Sequence, residues 1–277
     1  MASGKPSYLI VGAGVFGVST AYHLIQKYPD ASVTLVDRDS YDADERVAAS
    51  WDWNKVVRAD YDDFLYCKLA LEAQGVFKND PLWQPYFKQA GIYWASRGNY
   101  GKDVVDNHKK LGREGDITVL SVEEAKKLYG GLFADADYAD VKEVLVNKAG
   151  GFALAGDCLR AVTKNAVELG VKYVTAEVAS LKFDLGGSCT GIRTVDGKTL
   201  TASKVILCTG AYTTKLLEVS AARTGKTALC AGDRIKAAGI TTGLAQLDKE
   251  VYKRHESMPV AFQGYTADYG KLPCEHH

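Results

Sequence analysis

The hexapeptide GAGVFG, residues 12–17, limits what this chain can become more than any other stretch. Its glycines, Gly12, Gly14 and Gly17, stand at GxGxxG spacing. A short apolar run, Tyr8–Val11, precedes them and reads as a buried strand. Val15–Ile25 follows with helical period and turns Ala21 and Leu24 inward, and Ala31–Asp37 is a second, β-branched strand. Strand, glycine turn, helix and strand make one βαβ unit. Gly12 permits the tight turn, Gly14 lets backbone approach a pyrophosphate, and Gly17 lets the helix pack on the strand. The helix N-terminus offers unpaired N–H groups and the positive end of a dipole to the phosphates. Asp37, 20 residues after Gly17, is placed to accept the ribose hydroxyls of an adenosine. GxGxxG alone is a weak signal; with its strand, helix and acid it predicts a dinucleotide site.

The rest of the composition narrows the class by exclusion. Formal net charge is zero, so no basic excess argues for nucleic acid or an anionic membrane. No apolar run approaches the length of a bilayer span, and the N-terminus has no signal-peptide pattern, which predicts an intracellular protein. The six cysteines (67, 158, 189, 208, 230 and 274) include no CxxC pair, so neither a zinc site nor a disulfide framework is indicated; they are expected to be reduced and mostly buried.

Along the chain, helical period is read over 63–77, 104–111, 121–129 and 155–169, the third opened by a capping box at Ser121 and Glu124. Gly170 ends the last of these. Strands are read at 92–96, 179–184, 190–195, 199–202 and 204–208, with a hairpin turn at Asp196-Gly197. A helix follows Gly210, and 224–246 gives a poor signal. One segment fits no period. SWDWNKVVRADYDD, residues 50–63, holds two tryptophans, a lysine, an arginine and four aspartates. Read bare, Lys55 and Arg58 there would pair with Asp52, Asp60, Asp62 or Asp63 on a solvated loop, and Trp51 and Trp53 would be packing residues.

Three features favour a flavin over a nicotinamide dinucleotide, one of them the segment 50–63 itself. The late strand and turn VILCTGAY, residues 205–212, suits a strand returning beside the first under the cofactor. A helix and strand, GDCLRAVTKNAVELGVKYVTAEV, arrive about 140 residues after the glycine turn, so the sheet is interrupted by a long mixed insertion that a simple nicotinamide domain lacks.

The whole resembles the FAD-dependent amine oxidases that include sarcosine oxidase, the fructosyl amino acid oxidases (amadoriases) and saccharopine or pipecolate oxidases, nearest the fungal branch. The resemblance covers nearly the whole chain. It rests on YLIVGAGVFGVSTAYHL, VTLVDR, AASWDWNKVVRADY, GGFALAGDCLRA and VILCTGAYTTKLL, in family order. Its Trp-Asp-Trp departs from the amadoriase pattern and leaves a sugar-amine substrate open. It implies an α/β fold: a Rossmann-like FAD-binding domain of glutathione-reductase type with an interleaved α+β substrate domain. The expected parts are 1–80 and 151–220 for FAD, with 81–150 and 221–277 for substrate, incomplete at the C-terminus because family members run well beyond this length.

For the site, the resemblance implies that Val15 and Phe16 give N–H groups to the phosphates and that Arg38 covers the adenine side. Ser50 and Asn54 are expected near the pyrophosphate and ring. Lys55 and Arg58 are expected at the isoalloxazine and substrate, where a fixed cation stabilises charge developing on the flavin. Val178 would read adenine through its backbone, and Thr209 and Gly210 would form a second phosphate-side turn. Lys271 is a match for the family's oxygen-activating lysine, in a context that departs from the pattern. No metal is implied. The expected activity is oxidation of a secondary amine, with hydride passing to FAD and then electrons to O2; the partners are a small amine and O2, in the cytoplasm or peroxisome. A nicotinamide-dependent dehydrogenase or imine reductase, and a non-catalytic dinucleotide-binding paralogue, remain alternatives.

Overall fold

The computed structural model of the chain describes residues 5–239 and 242–263. The elements in chain order begin with β1 (Ser7–Val11), α1 (Val15–Lys27) and β2 (Ser32–Asp37), then β3 (Lys55–Val57) and α2 (Phe64–Asn79). β4 (Phe87–Lys88), β5 (Ile92–Ser96), α3 (Tyr100–Lys110), β6 (Ile117–Leu120), α4 (Val122–Ala125), β7 (Glu143–Asn147) and β8 (Gly151–Ala153) follow. The chain continues through α5 (Ala155–Glu168), β9 (Lys172–Thr175), β10 (Val178–Phe183), β11 (Cys189–Thr194), β12 (Thr199–Thr201) and β13 (Lys204–Leu207). It closes with α6 (Thr213–Thr224), α7 (Lys249–His255) and β14 (Val260–Gln263). Among the described residues no helix is long and apolar enough to cross a membrane.

The elements sort into two compact units, Met1–Trp53 with Ala155–Thr242, and Asn54–Leu154 with Gly243–His277. The divide after Trp53 puts α2 in the second unit rather than with the βαβ unit.

The first unit is built on a four-stranded sheet in the order β13-β1-β2-β9. All three pairings are parallel. The returning strand does lie beside the first, with Leu207 opposite Val11, so the turn after β13 opens at the same sheet edge as the glycine turn. Parallel strands covered on both faces want apolar residues at successive positions, and Leu9, Ile10 and Val11 are all buried. Helix α1 buries Val18, Ala21, Tyr22 and Ile25 and packs against α5. Leu24 is half-buried rather than fully inward, because its row of the helix lies at the edge of the buried stripe. A separate antiparallel sheet, β10-β11-β12, turns at Gly197 and packs Leu181 and Ile192 against Leu9, Val36 and Leu216.

The second unit holds a sheet in the order β14-β5-β7-β6 and a small one, β3-β8-β4. Ile92, Trp94, Tyr100, Val104, Ile117 and Leu145 form one core cluster on the larger sheet, and Tyr93, Ala95, Ala125, Val144 and Val146 form the other. The helix expected over 121–129 is shorter. Its capping box forms, but α4 ends at Ala125, and Tyr129 and Gly130 take left-handed φ values of 51° and 65° that no α-helix continues through. α3 starts four residues before the expected 104, because the Gly101 N–H donates to Glu143 Oε1 at 2.6 Å and fixes the first turn.

Candidate functional site

The glycine turn connects β1 to α1 at the C-terminal edge of the parallel sheet, where open α/β sheets bind ligands. Gly12 has φ +100°, and a Cβ there would strike the carbonyl of Cys208 in the neighbouring strand's turn. A Cβ on Gly17 would fall on the Gly12 carbonyl and lie 3.3 Å from the Cys208 Cβ. Gly14 differs. Its backbone is ordinary (φ −74°, ψ −175°), and a Cβ would meet only Ser50 Oγ, at 3.2 Å. So Gly12 and Gly17 are required by the fold, whereas Gly14 leaves room above the helix end. No acidic residue stands in the first turn of α1. That suits an anion, since a carboxylate there would oppose it.

Asp37 closes this turn from β2. Its Oδ2 accepts the Ala13 N–H at 2.6 Å, its Oδ1 accepts the Asp39 N–H at 3.1 Å, and Arg46 Nη2 lies 3.4 Å from Oδ1. Ser50 lies at the helix end, where its Oγ accepts the Val15 N–H at 2.9 Å. That donor, expected to face a phosphate, therefore has a hydroxyl partner already in place. The Phe16 side chain is exposed. Arg38 stacks on the Tyr212 ring, 4.5 Å from its centroid, and Nη2 donates to Tyr212 Oη at 3.2 Å. Thr209 and Gly210 form the turn after β13; Gly210 has φ +51°, and Thr209 and Thr213 share a hydroxyl hydrogen bond of 2.8 Å. Val178 opens β10, two residues after Ala176, whose N–H donates to the Asp37 carbonyl at 2.7 Å.

The odd segment 50–63 divides between the units, and its tryptophans part company. Trp51 is held between two guanidinium groups, Arg46 at 5.7 Å and Arg160 at 5.0 Å from its ring. Trp53 is 73% exposed, so its expected packing role fails in the described structure. In the second unit Asn54 and Lys55 are exposed at the start of β3. Arg58 is half-buried, with its guanidinium 4.2 Å from the Tyr61 ring and 4.8 Å from the Trp94 ring. Its Nη1 donates to the main-chain carbonyl of Asp60 rather than to a carboxylate.

Helix α3 pins this stretch by its carbonyls. Tyr100 Oη donates to Asp60 O, His108 Nε2 to Ala59 O at 3.1 Å, and Asn107 Nδ2 to Asp62 O at 2.6 Å. The Asp60 side chain is fully buried, accepting from Asn147 Nδ2 at 2.6 Å through Oδ1, while Oδ2 has no hydrogen bond. Lys271, expected at the flavin, lies outside the described residues.

Burial pushes the Asp60 carboxyl pKa up, against the Asn147 hydrogen bond and the opposing influence of Arg58 and His108. The folded protein thus holds this proton more tightly than the unfolded chain. Stability is present at acid pH and falls as pH rises from the ordinary carboxylate value to the raised one. Asp60→Asn keeps an acceptor for Asn147 and removes the ionisation. Above that window its Tm should exceed the wild type's by a few degrees, about 1 kcal/mol, and the gap should close at acid pH. A variant melting below the wild type at alkaline pH would mean that ionised Asp60 stabilises the fold through Arg58.

A parallel sheet with this glycine turn, an acid at the end of its second strand and a strand returning beside the first is the architecture of a dinucleotide-binding domain. The chain belongs to the FAD dependent oxidoreductase family, which it matches over residues 7–252. It is 30% identical to L-saccharopine oxidase of Schizosaccharomyces pombe over 270 residues, covering 92% of this chain and 59% of that protein. Among solved structures it is similar to the deglycating enzyme fructosamine oxidase (amadoriase II) of Aspergillus fumigatus, at 28% identity and a TM-score of 0.60, over 76% of this chain and 50% of that one. A thermally stable mutant of fructosyl peptide oxidase shares the fold, with a TM-score of 0.69 at 22% identity, over 94% of this chain and 60% of that one. The chain thus spans about three fifths or less of the length of these relatives.

The geometry of the first unit fits the family's cofactor. Gly12 and Gly17 are held glycine by the packing of the turn, Gly14 leaves the space above a helix end free of acidic residues, and Asp37 at the end of β2 is bonded to that turn. None of this could be found from composition. Arg46, the buried cation of this cluster, carried no signal in the sequence, because an arginine in a polar loop looks like any solvated one.

Proposed function

We propose that the protein is an FAD-dependent oxidase of a secondary amine borne by an amino acid: an N-methyl or other N-substituted amino acid, a fructosyl amino acid or a saccharopine-like compound. The observation that carries this is Arg58. A guanidinium set over two aromatic rings and anchored on a main-chain carbonyl keeps its planar fork pre-oriented. Such a fork matches an amino acid carboxylate. Similarity to L-saccharopine oxidase supports the same substrate class.

FAD held there would supply two-electron chemistry: removal of a hydride from the carbon beside the amine nitrogen, with loss of the amine proton leaving an imine, and return of two electrons and two protons to O2 as hydrogen peroxide. The protein's part is to bind and orient. Gly12, Gly14 and Gly17 admit the pyrophosphate, and Asp37 takes the ribose. Arg58 would hold the substrate carboxylate, and Lys55 would supply a second cation that favours developing negative charge.

The test is anaerobic mixing of the FAD-loaded protein with saccharopine, an N-methyl amino acid and a fructosyl amino acid. At least one is expected to bleach the visible flavin band. Arg58→Met should raise the half-saturating concentration of that amine by about tenfold or more, the loss of a charge-assisted fork. Bleaching by a 2-hydroxy acid or a primary amine, and by none of the three, would overturn the assignment.

A further inference from the structure

We propose that Arg46 is a positioning residue for the dinucleotide: from inside the first unit it fixes Asp37 to the phosphate turn, so that recognition of the adenosine ribose depends on a cation that does not touch the cofactor. The inference rests on the FAD reading of the turn.

The Arg46 side chain is only 1% exposed. Its Nη2 donates to the Ala13 carbonyl at 3.2 Å and lies 3.4 Å from Asp37 Oδ1. The Ala13 N–H donates to Asp37 Oδ2 at 2.6 Å. Both polar groups of a single turn residue, between Gly12 and Gly14, are therefore tied to the same acid–base pair, and the three residues close a ring.

Lone-pair counting gives this ring its consequence. A carboxylate offers about four acceptor positions. On Asp37 the Asp39 N–H takes one place on Oδ1 and the Ala13 N–H one place on Oδ2, while Arg46 stands beside Oδ1 as an ion-pair partner at 3.4 Å. About two positions are therefore unfilled, and the guanidinium stands beside the one on Oδ1, which leaves Oδ2 the more open to a ribose hydroxyl. The carboxylate is aimed by these three partners, and Arg46 is the one side chain among them.

Burying this arginine is costly in itself. Its Nε and Nη1 are buried without a hydrogen bond, and the Trp51 ring lies 5.7 Å away. Idle buried donors on a charged group cost free energy, which the contacts to Asp37 and the Ala13 carbonyl offset.

The test compares FAD, which carries the adenosine ribose, with FMN, which lacks it, by quenching of flavin fluorescence on titration with the 277-residue chain. Arg46→Met is expected to weaken FAD binding by about tenfold or more, with FMN binding changed by less than about twofold and the FAD-to-FMN preference lost accordingly. In an Asp37→Asn background the same change should add little, because both act on one interaction. Arg46→Lys, which keeps the charge but not the fork, should fall between the two and serves if Arg46→Met does not fold. Equal loss of FAD and FMN, an unchanged FAD affinity, or full additivity with Asp37→Asn would overturn the proposal alone, provided the wild type binds FAD. A wild type that binds neither flavin would remove the FAD reading and this inference with it.

Discussion

Gly17→Ala is expected to destabilise the first unit by about 3 kcal/mol or more and to abolish dinucleotide binding. The added Cβ would occupy the position of the Gly12 carbonyl, a main-chain atom with no rotamer to yield, with the Cys208 Cβ at 3.3 Å closing the other side. The helix would have to lift off the sheet, and with it the phosphate turn. Gly14→Ala separates folding from binding. Its Cβ meets a flexible hydroxyl, Ser50 Oγ at 3.2 Å, so urea denaturation should shift by less than about 1 kcal/mol. FAD affinity should nevertheless drop at least about tenfold, since the methyl would stand where phosphate approaches backbone. A Gly17→Ala protein with wild-type denaturation and intact FAD binding would contradict the packing described for β1, α1 and the turn after β13.

Trp94→Ala should cost about 3–5 kcal/mol in the second unit, the ordinary loss for a fully buried aromatic. Trp94 is 1% exposed, with Tyr100 and Phe262 at ring distances of 5.1 and 4.9 Å and the Arg58 guanidinium over its face. Removing it opens the core beneath β5 and deletes one wall of the stack that orients Arg58. Trp94→Phe provides the contrast. The indole Nε1 has no hydrogen bond, so phenylalanine forfeits no polar contact and should cost less than about 1.5 kcal/mol. Equal denaturation midpoints for Trp94→Ala and wild type would mean that the aromatic cluster does not carry the unit's stability.

The parts of this protein that were legible in the sequence are those governed by local rules. The βαβ unit, Asp37 at its end, the capping box at Ser121, the hairpin at Gly197 and the stop at Gly170 all follow from spacing, propensity or a required φ, and each is found where those rules put it. Tertiary context overrode the rest. The run 121–129 has helical period, yet left-handed Tyr129 ends it early, and no local pattern announces that. The weak signal over 224–246 corresponds, in its described residues, to two short 3-10 turns at Thr227–Leu229 and Gly232–Arg234. In the segment 50–63 the residues read bare suggested that Arg58 would pair with an aspartate side chain; its hydrogen bond goes instead to the Asp60 carbonyl, and its guanidinium lies over two rings. Arg46 was invisible for a related reason. Its partners are Ala13 and Asp37, more than eight residues away and on a different element, and long-range pairing leaves no local mark.

The most direct measurement is equilibrium titration of the purified chain with FAD, followed by the visible spectrum and by flavin fluorescence, with NADPH titrated in parallel. Saturable uptake of FAD near one per chain, weakened by Gly14→Ala and Asp37→Asn and unaffected by NADPH, is the expected result. No uptake of FAD, with saturable binding of NADPH at the same turn, would contradict the flavoprotein assignment and leave a nicotinamide-dependent enzyme in its place.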